Sequence, residues 1–257
     1  MTDHAQRVAA LLEPARRVVL LTGAGMSQES GVPTFRDAQT GLWARYDPLE
    51  LASPTAFRHH PARVFGWYMW RWTKVRSVEP HAGYRAVVQL ARRFDDFQVV
   101  TQNVDGLHSR AGSDGVIELH GSLNAFRCLD GGHPFDPARL EGLVVGDDGA
   151  VDPPACDRCG SPIRPGVVWF GEMLPVDAVR RAWEAMQRCD AVLVVGTSSV
   201  VYPAAELPHV AKAHGAAVVE VNPEGTPLTV QADYSWPSSA AVALPALADR
   251  LGVPSSA

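Results

Sequence analysis

Short apolar runs and amphipathic stretches alternate along most of this chain. The apolar runs have the length and residue types of strands buried in a parallel sheet, and they lie at residues 17–22, 97–100, 116–119, 191–195 and 216–221. The stretches with helical character lie at residues 2–14, 61–78, 82–93, 176–188 and 204–214. A closing helix is predicted at 240–251, interrupted by Pro245. Strands that alternate with helices predict an α/β fold built on a doubly wound parallel sheet of the Rossmann type.

Polar or glycine-rich turns follow four of the predicted strands, at residues 23–27, 102–105, 196–198 and 222–224. Ligands of open α/β sheets bind at the carboxyl ends of strands, and a ligand long enough to reach several turns is a dinucleotide. In the first turn, Gly23 and Gly25 lead into a predicted helix, an arrangement that presents backbone N–H groups to a phosphate. Gln28 replaces the third glycine of the usual fingerprint, so a turn that only connects strand and helix is the alternative.

The stretch at 101–121, TQNVDGLHSRAGSDGVIELHG, carries the candidate chemistry. Asn103 and Asp105 follow the end of one predicted strand, and His120 follows the end of the next. An amide, a carboxylate and an imidazole would then share one crevice, as general acid–base chemistry requires. These three residues are therefore the candidate catalytic residues.

Composition and charge narrow the class of protein. With 257 residues and 46% hydrophobic content, the chain is long enough for one large domain and a smaller appended module. The net charge of −5 argues against nucleic acid as a partner. No apolar run has the length of a membrane-spanning helix, and the first residues lack the layout of a secretion signal. We expect a cytoplasmic protein that does not bind membranes.

The segment at 126–164 is rich in glycine, proline and acidic residues, and it predicts a loop-rich insertion that holds three cysteines. Cys156 and Cys159 have the spacing of a metal-binding knuckle. Upstream, Cys128 is followed at the matching position by Gly131 rather than by a second cysteine. His133 is then the candidate fourth ligand of a structural zinc ion, and an ordinary loop histidine is the alternative.

Several motifs follow one another in order over nearly the whole chain. They are GAGMS at 23–27, GVPTFR at 31–36, TQNVDGLH at 101–108, ELHGS at 118–122, the cysteine segment, VVWFGE at 167–172, GTSSVVYPAAELP at 196–208 and VNPE at 221–224. Together they resemble the sirtuin family of NAD-dependent protein lysine deacylases. The resemblance implies a Rossmann-type large domain at residues 1–39, 83–125 and 165–257, and a small domain at 40–82 and 126–164.

The resemblance also implies a reaction. In sirtuins the acyl-lysine oxygen attacks the nicotinamide ribose, nicotinamide leaves, and the products are free lysine and O-acyl-ADP-ribose. His120 would be the base that activates a ribose hydroxyl. Asn103 would position the ribose and a water, and Asp105 would bind the nicotinamide amide. NAD is consumed, and acylated lysine side chains of proteins are the expected partners.

The binding residues follow from the same resemblance. The cofactor contacts that it implies are Gly23, Ala24, Gly25, Ser27, Phe35, Arg36, Trp43, Gln102, Asn103, Asp105, Gly196, Thr197, Ser198, Asn222, Glu224 and Ala240. The backbone that would pair with the substrate peptide is that of Val168, Trp169, Phe170, Gly171 and Glu172.

Tyr68 and Arg71 are three residues apart on a predicted helix, hence on one face. Packing beside a solvated charge is one interpretation of this pair. In the sirtuin branch that removes succinyl or malonyl groups, however, a Tyr-x-x-Arg pair lines the acyl pocket. Ala38 fits the small residue that this branch carries in its cofactor loop, whereas Asp37 would repel an acidic acyl group. We therefore favour a desuccinylase- or demalonylase-like acyl pocket over packing as the role of this pair, in an enzyme that is a deacetylase, a desuccinylase or demalonylase, or both.

Other functions remain as alternatives at the level of the sequence. A mono-ADP-ribosyltransferase would use the same cleavage of NAD. A module that binds NAD or a peptide without catalysis conflicts with the presence of both Asn103 and His120. A zinc-knuckle protein that binds nucleic acid conflicts with the acidic charge balance and with the missing cysteine at Gly131.

Overall fold

The computed structural model describes residues 2–32, 47, 51–143 and 149–253. Within these residues the strands are β1 (Arg17–Thr22), β2 (Asp96–Thr101), β3 (Ile117–Glu118), β4 (Gly121–Cys128), β5 (Pro134–Phe135), β6 (Ile163–Val167), β7 (Ala191–Val195), β8 (Ala217–Val221) and β9 (Tyr234–Trp236). The α-helices are α1 (Thr2–Leu12), α2 (Gly25–Gln28), α3 (Pro54–His59), α4 (Pro61–Ser77), α5 (Ala82–Ala91), α6 (Leu107–Arg110), α7 (Val176–Arg188), α8 (Leu207–Ala213) and α9 (Ala240–Arg250). Short 3₁₀ helices lie at Pro137–Leu140 and Ala204–Glu206.

Six strands form one parallel sheet in the order β3–β2–β1–β7–β8–β9. This sheet confirms the predicted doubly wound α/β fold. The chain adds β2 on one side of β1 and later places β7 on the other side. This reversal makes the gap between β1 and β7 the switch point of the sheet, where the carboxyl ends of the strands leave a crevice for a ligand.

Helices cover both faces of the large sheet. Successive side chains of a strand point to opposite faces. Val18 and Leu20 of β1 pack in a core with α1, α5 and α9, while Val19 and Leu21 pack in a second core with α7 and α8. Because both faces are buried, the parallel strands appear in the sequence as continuous apolar runs.

A third core joins a small antiparallel sheet, ordered β5–β4–β6, to helices α3 and α4. The prediction of a loop-rich segment at 126–164 is wrong in part, because this segment holds β5 and parts of β4 and β6. In β4, Leu123 and Phe126 are buried with two exposed residues between them, so the strand lacks the strict alternation that predicts one. A bulge between Ser122 and Phe126 accounts for this spacing. The residue limits of the two domains stay a prediction.

Two elements of the large sheet region differ from expectation. Helix α9 runs through Pro245 without interruption, because its buried face, which includes Leu244 and Leu247, packs in the core and outweighs the hydrogen bond that a proline removes. The three-residue strand β9 is too short for any periodic pattern to predict. Among the residues that the structure describes, no helix is both long and apolar enough to cross a membrane.

Candidate active site

Hydrogen bonds join the turns that follow β2, β7 and β8 at the crevice. Gln102 Nε2 donates to Thr197 Oγ1 at 3.0 Å, and Asn222 Nδ2 donates to the Thr197 carbonyl oxygen at 2.9 Å. Ser198 and Glu224, in two of these turns, are exposed. These hydrogen bonds therefore join three of the four turns that predict a dinucleotide site.

The turn after β1 packs directly against the turn after β7, and this contact requires glycine. A Cβ atom on Gly23 would lie 2.8 Å from the Gly196 carbonyl oxygen, and one on Gly25 would lie 2.8 Å from Gly196 Cα. The N–H groups of Gly23 and Gly25 donate to the carbonyls of Val195 and Gly196. These two N–H groups are thus bonded within the protein. Phosphate binding by this turn, and by the exposed Ala24 in it, stays a prediction.

The Ser27 hydroxyl, in α2, connects Asn103 to Asp105. It donates to Asp105 Oδ2 at 2.6 Å and accepts from Asn103 Nδ2 at 2.9 Å, and the same amide donates to the Gly23 carbonyl oxygen at 2.9 Å. Tyr84, from α5, lies with its hydroxyl oxygen 2.8 Å from Ser27 Oγ. Because the Ser27 hydrogen is directed to the Asp105 carboxylate, the Tyr84 hydroxyl is the donor in its contact with Ser27.

Tyr84 is a site residue that the sequence prediction missed. An aromatic residue on an amphipathic helix usually packs in the core, and the ring of Tyr84 is fully buried there. Burial is the main cause that raises the pKa of its phenol, so the hydroxyl keeps its proton. In the sequence, the tyrosine at an apolar position of the helix is the feature that indicates this role, because a buried phenol normally has a hydrogen-bond partner.

Burial of Asp105 raises the pKa of its carboxyl group. Hydrogen bonds from Ser27 and from the Leu107 backbone N–H, the latter at 2.8 Å, act in the opposite direction. The cations Arg71 and Arg110 also lower the pKa of Asp105. Arg71 belongs to α4, so a residue of the third core contributes to the electrostatics of the crevice.

His120 lies between β3 and β4, and a backbone carbonyl fixes its tautomer. Its Nδ1 is 2.9 Å from the Gln102 carbonyl oxygen. A carbonyl can only accept, so Nδ1 carries the hydrogen and Nε2 keeps its lone pair. Burial lowers the pKa of the imidazole, and the bond to Gln102 opposes this shift only in part. The ring is therefore neutral at pH 7 and basic at Nε2, which is the form that a general base requires.

Tyr68 and Arg71 lie together on one face of α4, as their spacing predicts. The guanidinium carbon of Arg71 is 6.0 Å from the centre of the Tyr68 ring and 5.0 Å from that of Trp67. Tyr68 is only 2% exposed, and burial raises the pKa of its phenol to about 12. Its hydroxyl oxygen accepts a hydrogen bond from Trp169 Nε1 at 2.9 Å.

Residues 168–172 continue from β6 as an irregular segment. The backbone N–H groups of Val168 and Phe170 donate to the carbonyls of His120 and Ala52 at 2.8 and 2.9 Å. Gly171 and the Phe170 side chain are exposed. With the N–H groups of Trp169 and Glu172, which bond to Glu172 Oε2 and to the Trp169 carbonyl, four N–H groups of the segment are bonded within the protein. Its backbone pairing with a substrate peptide stays a prediction.

The side chains of Trp169 and Glu172 are also held inside the protein. Both carboxylate oxygens of Glu172 contact the Arg164 guanidinium, at 2.5 and 3.0 Å, and one of them accepts from the Trp169 backbone N–H at 2.8 Å. Trp169 is 1% exposed and Arg164 is 2% exposed. This part of the predicted substrate segment therefore forms a buried cluster beneath the exposed Phe170.

Cys128, His133, Cys156 and Cys159 come together beyond the end of β4. Their ligand atoms all lie within 4.8 Å of one another. His133 Nδ1 is 3.4 Å from Cys128 Sγ and 3.6 Å from Cys156 Sγ, and Cys159 Sγ is 3.7 Å from Cys128 Sγ. Thiolates about 2.3 Å from a tetrahedral zinc ion lie about 3.8 Å apart. The predicted ligand set therefore fits a structural zinc ion, which all four residues would hold with no open position.

The absence of a side chain at Gly131 makes room for His133. A Cβ atom at Gly131 would lie 2.7 Å from Cε1 and 2.9 Å from Nδ1 of the imidazole. The backbone N–H of Arg158 is the main cause that lowers the pKa of the Cys156 thiol to about 6. This cysteine is thus a thiolate at neutral pH, the form that binds zinc, and none of the four cysteines forms a disulfide.

Part of the predicted cofactor loop lies outside the described residues, namely Phe35, Arg36, Asp37, Ala38 and Trp43. Ala240 is described and lies buried at the start of α9. A Cβ atom on Gly83 of α5 would lie 2.7 Å from the Ala240 carbonyl oxygen, so Ala240 takes part in the packing of α9 on α5. A cofactor contact at Ala240 stays a prediction.

The parallel sheet, the crevice at its switch point and the amide, carboxylate and imidazole around it define a nucleotide-binding α/β enzyme. The profile of the Sir2 family matches residues 23–203. The chain belongs to the Sir2 family, the sirtuins, as its motifs predict.

Known relatives and structures agree with this assignment. The chain is 54% identical over 238 residues to the NAD-dependent protein deacylase of Ralstonia nicotianae, and this alignment covers 93% of each chain. It is 52% identical over 235 residues to the NAD-dependent protein deacylase of Mycobacterium tuberculosis, covering 91% of this chain and 98% of that one. The crystal structure of a Sir2 homologue in complex with NAD has a TM-score of 0.87 and 44% identity, over 96% of this chain and 93% of that one. A Sir2 structure with a deacetylated peptide and 3′-O-acetyl-ADP-ribose has a TM-score of 0.83 and 32% identity, over 97% and 99%.

Proposed function

We propose that this sirtuin removes acyl groups from protein lysines with consumption of NAD, and that it prefers acyl groups that end in a carboxylate. Family membership and the names of its relatives support the deacylase activity. The acyl preference rests on one observation: the Tyr68 phenol and the Arg71 guanidinium lie side by side on α4, and Arg71 is near enough to the crevice to lower the pKa of Asp105.

His120 has the protonation state that this reaction needs. When bound, NAD supplies the ribose carbon that takes up the acyl oxygen, with nicotinamide as the leaving group. His120 takes a proton at Nε2 from a ribose hydroxyl and so makes that hydroxyl nucleophilic. The Gln102 carbonyl accepts from Nδ1–H before and after this transfer, and it thereby stabilises the imidazolium that forms.

Asn103 and Asp105 are held for the nicotinamide end of the cofactor. The Asn103 amide is fixed by its bonds to Gly23 and Ser27, and in the proposed reaction it would position the ribose and a water. Asp105 is fixed by Ser27 and by the Leu107 N–H, and its carboxylate would accept a hydrogen bond from the nicotinamide amide. Both side chains are buried, so these polar contacts operate with little competition from water.

The acyl pocket has the donors that a terminal carboxylate requires. A guanidinium presents N–H groups in a fork that matches a carboxylate, and a phenol adds a further donor. With a pKa of about 12, Tyr68 stays protonated at physiological pH. An acetyl group has no atom beyond its methyl carbon to contact these donors, whereas succinyl and malonyl groups do. Succinyl- and malonyl-lysine are therefore the favoured substrates.

One assay tests the acyl preference. NAD-dependent turnover of acetyl-, succinyl- and malonyl-lysine peptides is compared for the wild type and for Arg71→Met. We expect the wild type to favour the acidic peptides, and Arg71→Met to lower kcat/KM for succinyl-lysine at least tenfold, since a charge-assisted hydrogen bond contributes about 1.5–3 kcal/mol. Turnover of the acetyl peptide changes little, because that peptide does not reach Arg71.

Arg76→Met is the matched control, since Arg76 is an exposed arginine near the end of the same helix, stacked on Trp72. It should leave the ratio of succinyl to acetyl turnover unchanged. A wild type that strongly favours acetyl, with Arg71→Met unaffected, would contradict the acidic pocket. Release of nicotinamide without any acyl-lysine peptide would instead favour a mono-ADP-ribosyltransferase.

A cytoplasmic location, with neither nucleic acid nor membrane as partner, belongs to the same proposal. The net charge of −5 supports it, because an acidic protein lacks the positive surface that phosphate backbones and anionic lipids attract. Cell fractionation with an antibody to the chain tests the location, and its recovery in the membrane pellet would contradict it.

A further inference from the structure

Trp169 contacts the candidate acyl pocket with its side chain. It lies in the segment that follows β6, and its indole reaches α4, where Nε1 is 2.9 Å from Tyr68 Oη. The two ring centroids are 6.2 Å apart. Both residues are at most 2% exposed, so this hydrogen bond is shielded from water.

The direction of this hydrogen bond is fixed by chemistry. An indole N–H can only donate, so the Tyr68 oxygen must accept. The phenol hydrogen of Tyr68 takes no part in this bond. Among the described residues, Trp169 is the one polar partner of the Tyr68 hydroxyl, so the phenol hydrogen has no acceptor there. A carboxylate oxygen, which can only accept, would complete the contacts of this hydroxyl.

The indole itself is held in place from two sides. The Arg164 guanidinium lies over the Trp169 ring, 3.3 Å from its centroid. Glu172 pairs with Arg164 and also accepts from the Trp169 backbone N–H. Arg164 donates in addition to the Val167 carbonyl at 2.8 Å. The orientation of the indole N–H is therefore set by the ion pair between the buried Arg164 and the half-buried Glu172, and not by the indole alone.

We propose that Trp169 is a positioning residue for acyl selectivity: its N–H occupies the acceptor site of the Tyr68 hydroxyl, which then donates its hydrogen to the terminal carboxylate of the acyl group. The inference rests on the acidic acyl preference proposed above and extends it to a residue of a different segment. A neutral acyl group offers no acceptor at this place, so it gains nothing from the arrangement.

Trp169→Phe tests this role, because phenylalanine keeps one aromatic ring beneath Arg164 and removes the N–H donor together with the second ring of the indole. We expect kcat/KM for a succinyl-lysine peptide to fall about fivefold, the value of one hydrogen bond, mainly through a higher KM. Turnover of the acetyl-lysine peptide by the same protein reports any loss of folding or peptide binding that is common to both substrates, so the fall in the succinyl-to-acetyl ratio is the readout. In a Tyr68→Phe background, Trp169→Phe should have no further effect on the succinyl-to-acetyl ratio.

Trp72→Phe is the matched control, since Trp72 is a buried tryptophan of the same core that packs edge-on against Phe126. It should leave the succinyl-to-acetyl ratio unchanged. If Arg71→Met loses the acidic preference but Trp169→Phe leaves the succinyl-to-acetyl ratio unchanged, the role of Trp169 is overturned. Equal losses with both peptides in Trp169→Phe would overturn it too. A wild type without any acidic preference would overturn the proposed acyl selectivity itself, and this inference with it.

Discussion

The Ser27 hydroxyl shows how a single residue organises the crevice. It has one hydrogen and two lone pairs, and all three are used: the hydrogen is donated to Asp105, and the oxygen accepts from Asn103 and Tyr84. The Tyr84 phenol is thus the second of two donors, after Asn103, that occupy the lone pairs of the Ser27 oxygen and leave its hydrogen directed toward Asp105. Without it, the hydroxyl of Ser27 is free to rotate away from the carboxylate.

Tyr84→Phe should therefore weaken the nicotinamide end of the site while the core stays packed. We expect kcat/KM for NAD to fall about fivefold, because the variant removes one hydrogen bond and keeps the ring. Initial rates at varied NAD and a fixed saturating acyl-lysine peptide measure the effect. Tyr234→Phe is the control, since it removes an equivalent bond, 2.7 Å long, to His4 between β9 and α1. Equal losses in both variants would contradict a specific role for Tyr84.

At the scale of elements, the cysteine cluster adds a side-chain link between segments that backbone hydrogen bonds already join. Cys128 ends β4, His133 precedes β5, and Cys156 and Cys159 lie in a turn before β6. Strand β5 has only two residues, so a zinc ion would mainly stabilise the turn that connects β4 to β5 and the turn before β6.

His133→Ala should lower zinc affinity at least tenfold, because loss of a residue that only orients a metal ligand already costs about tenfold in affinity, and His133 would be a ligand itself. The melting temperature should fall as well, because zinc binding stabilises the folded state. Gly131→Ala should also weaken binding, since the added methyl group collides with the imidazole. Elemental analysis and competition with a chromophoric chelator measure zinc directly. His214→Ala, at an exposed histidine after α8, is the control. Full zinc content in His133→Ala would show that His133 is an ordinary loop residue.

The sequence predicts elements and residues unequally, for physical reasons. The parallel strands are predictable because burial on both faces demands unbroken apolar runs. The small sheet is not, because the bulge in β4 disturbs its alternation and β5 is too short for one. The candidate catalytic residues are predictable because they follow strand ends. The bond between Trp169 and Tyr68 joins residues 101 positions apart, which no local pattern reveals.

On the scale of the whole molecule, the proposed acyl pocket and the candidate cofactor crevice share one electrostatic field. Arg71 belongs to α4, which packs against the small sheet, and Asp105 belongs to the turn after β2 of the large sheet. Burial lowers the pKa of Arg71, and Asp105 is one of the groups that oppose this shift. In return, Arg71 lowers the pKa that burial raises at Asp105. A substitution in one pocket should therefore change the titration of the other.

Arg71→Met tests this coupling through the pH dependence of NAD use. Loss of the cation raises the pKa of Asp105, and a carboxylate is ionised only above its pKa, so the ionised form is lost at a higher pH than in the wild type. We expect the acid limb of kcat/KM for NAD, measured with an acetyl-lysine peptide that does not reach Arg71, to move to higher pH. His120 titrates equally in both proteins, so the difference between the two profiles reports on Asp105. Arg76→Met removes an exposed charge from the same helix and should not move the limb. An unchanged limb in Arg71→Met would show that the two pockets titrate independently.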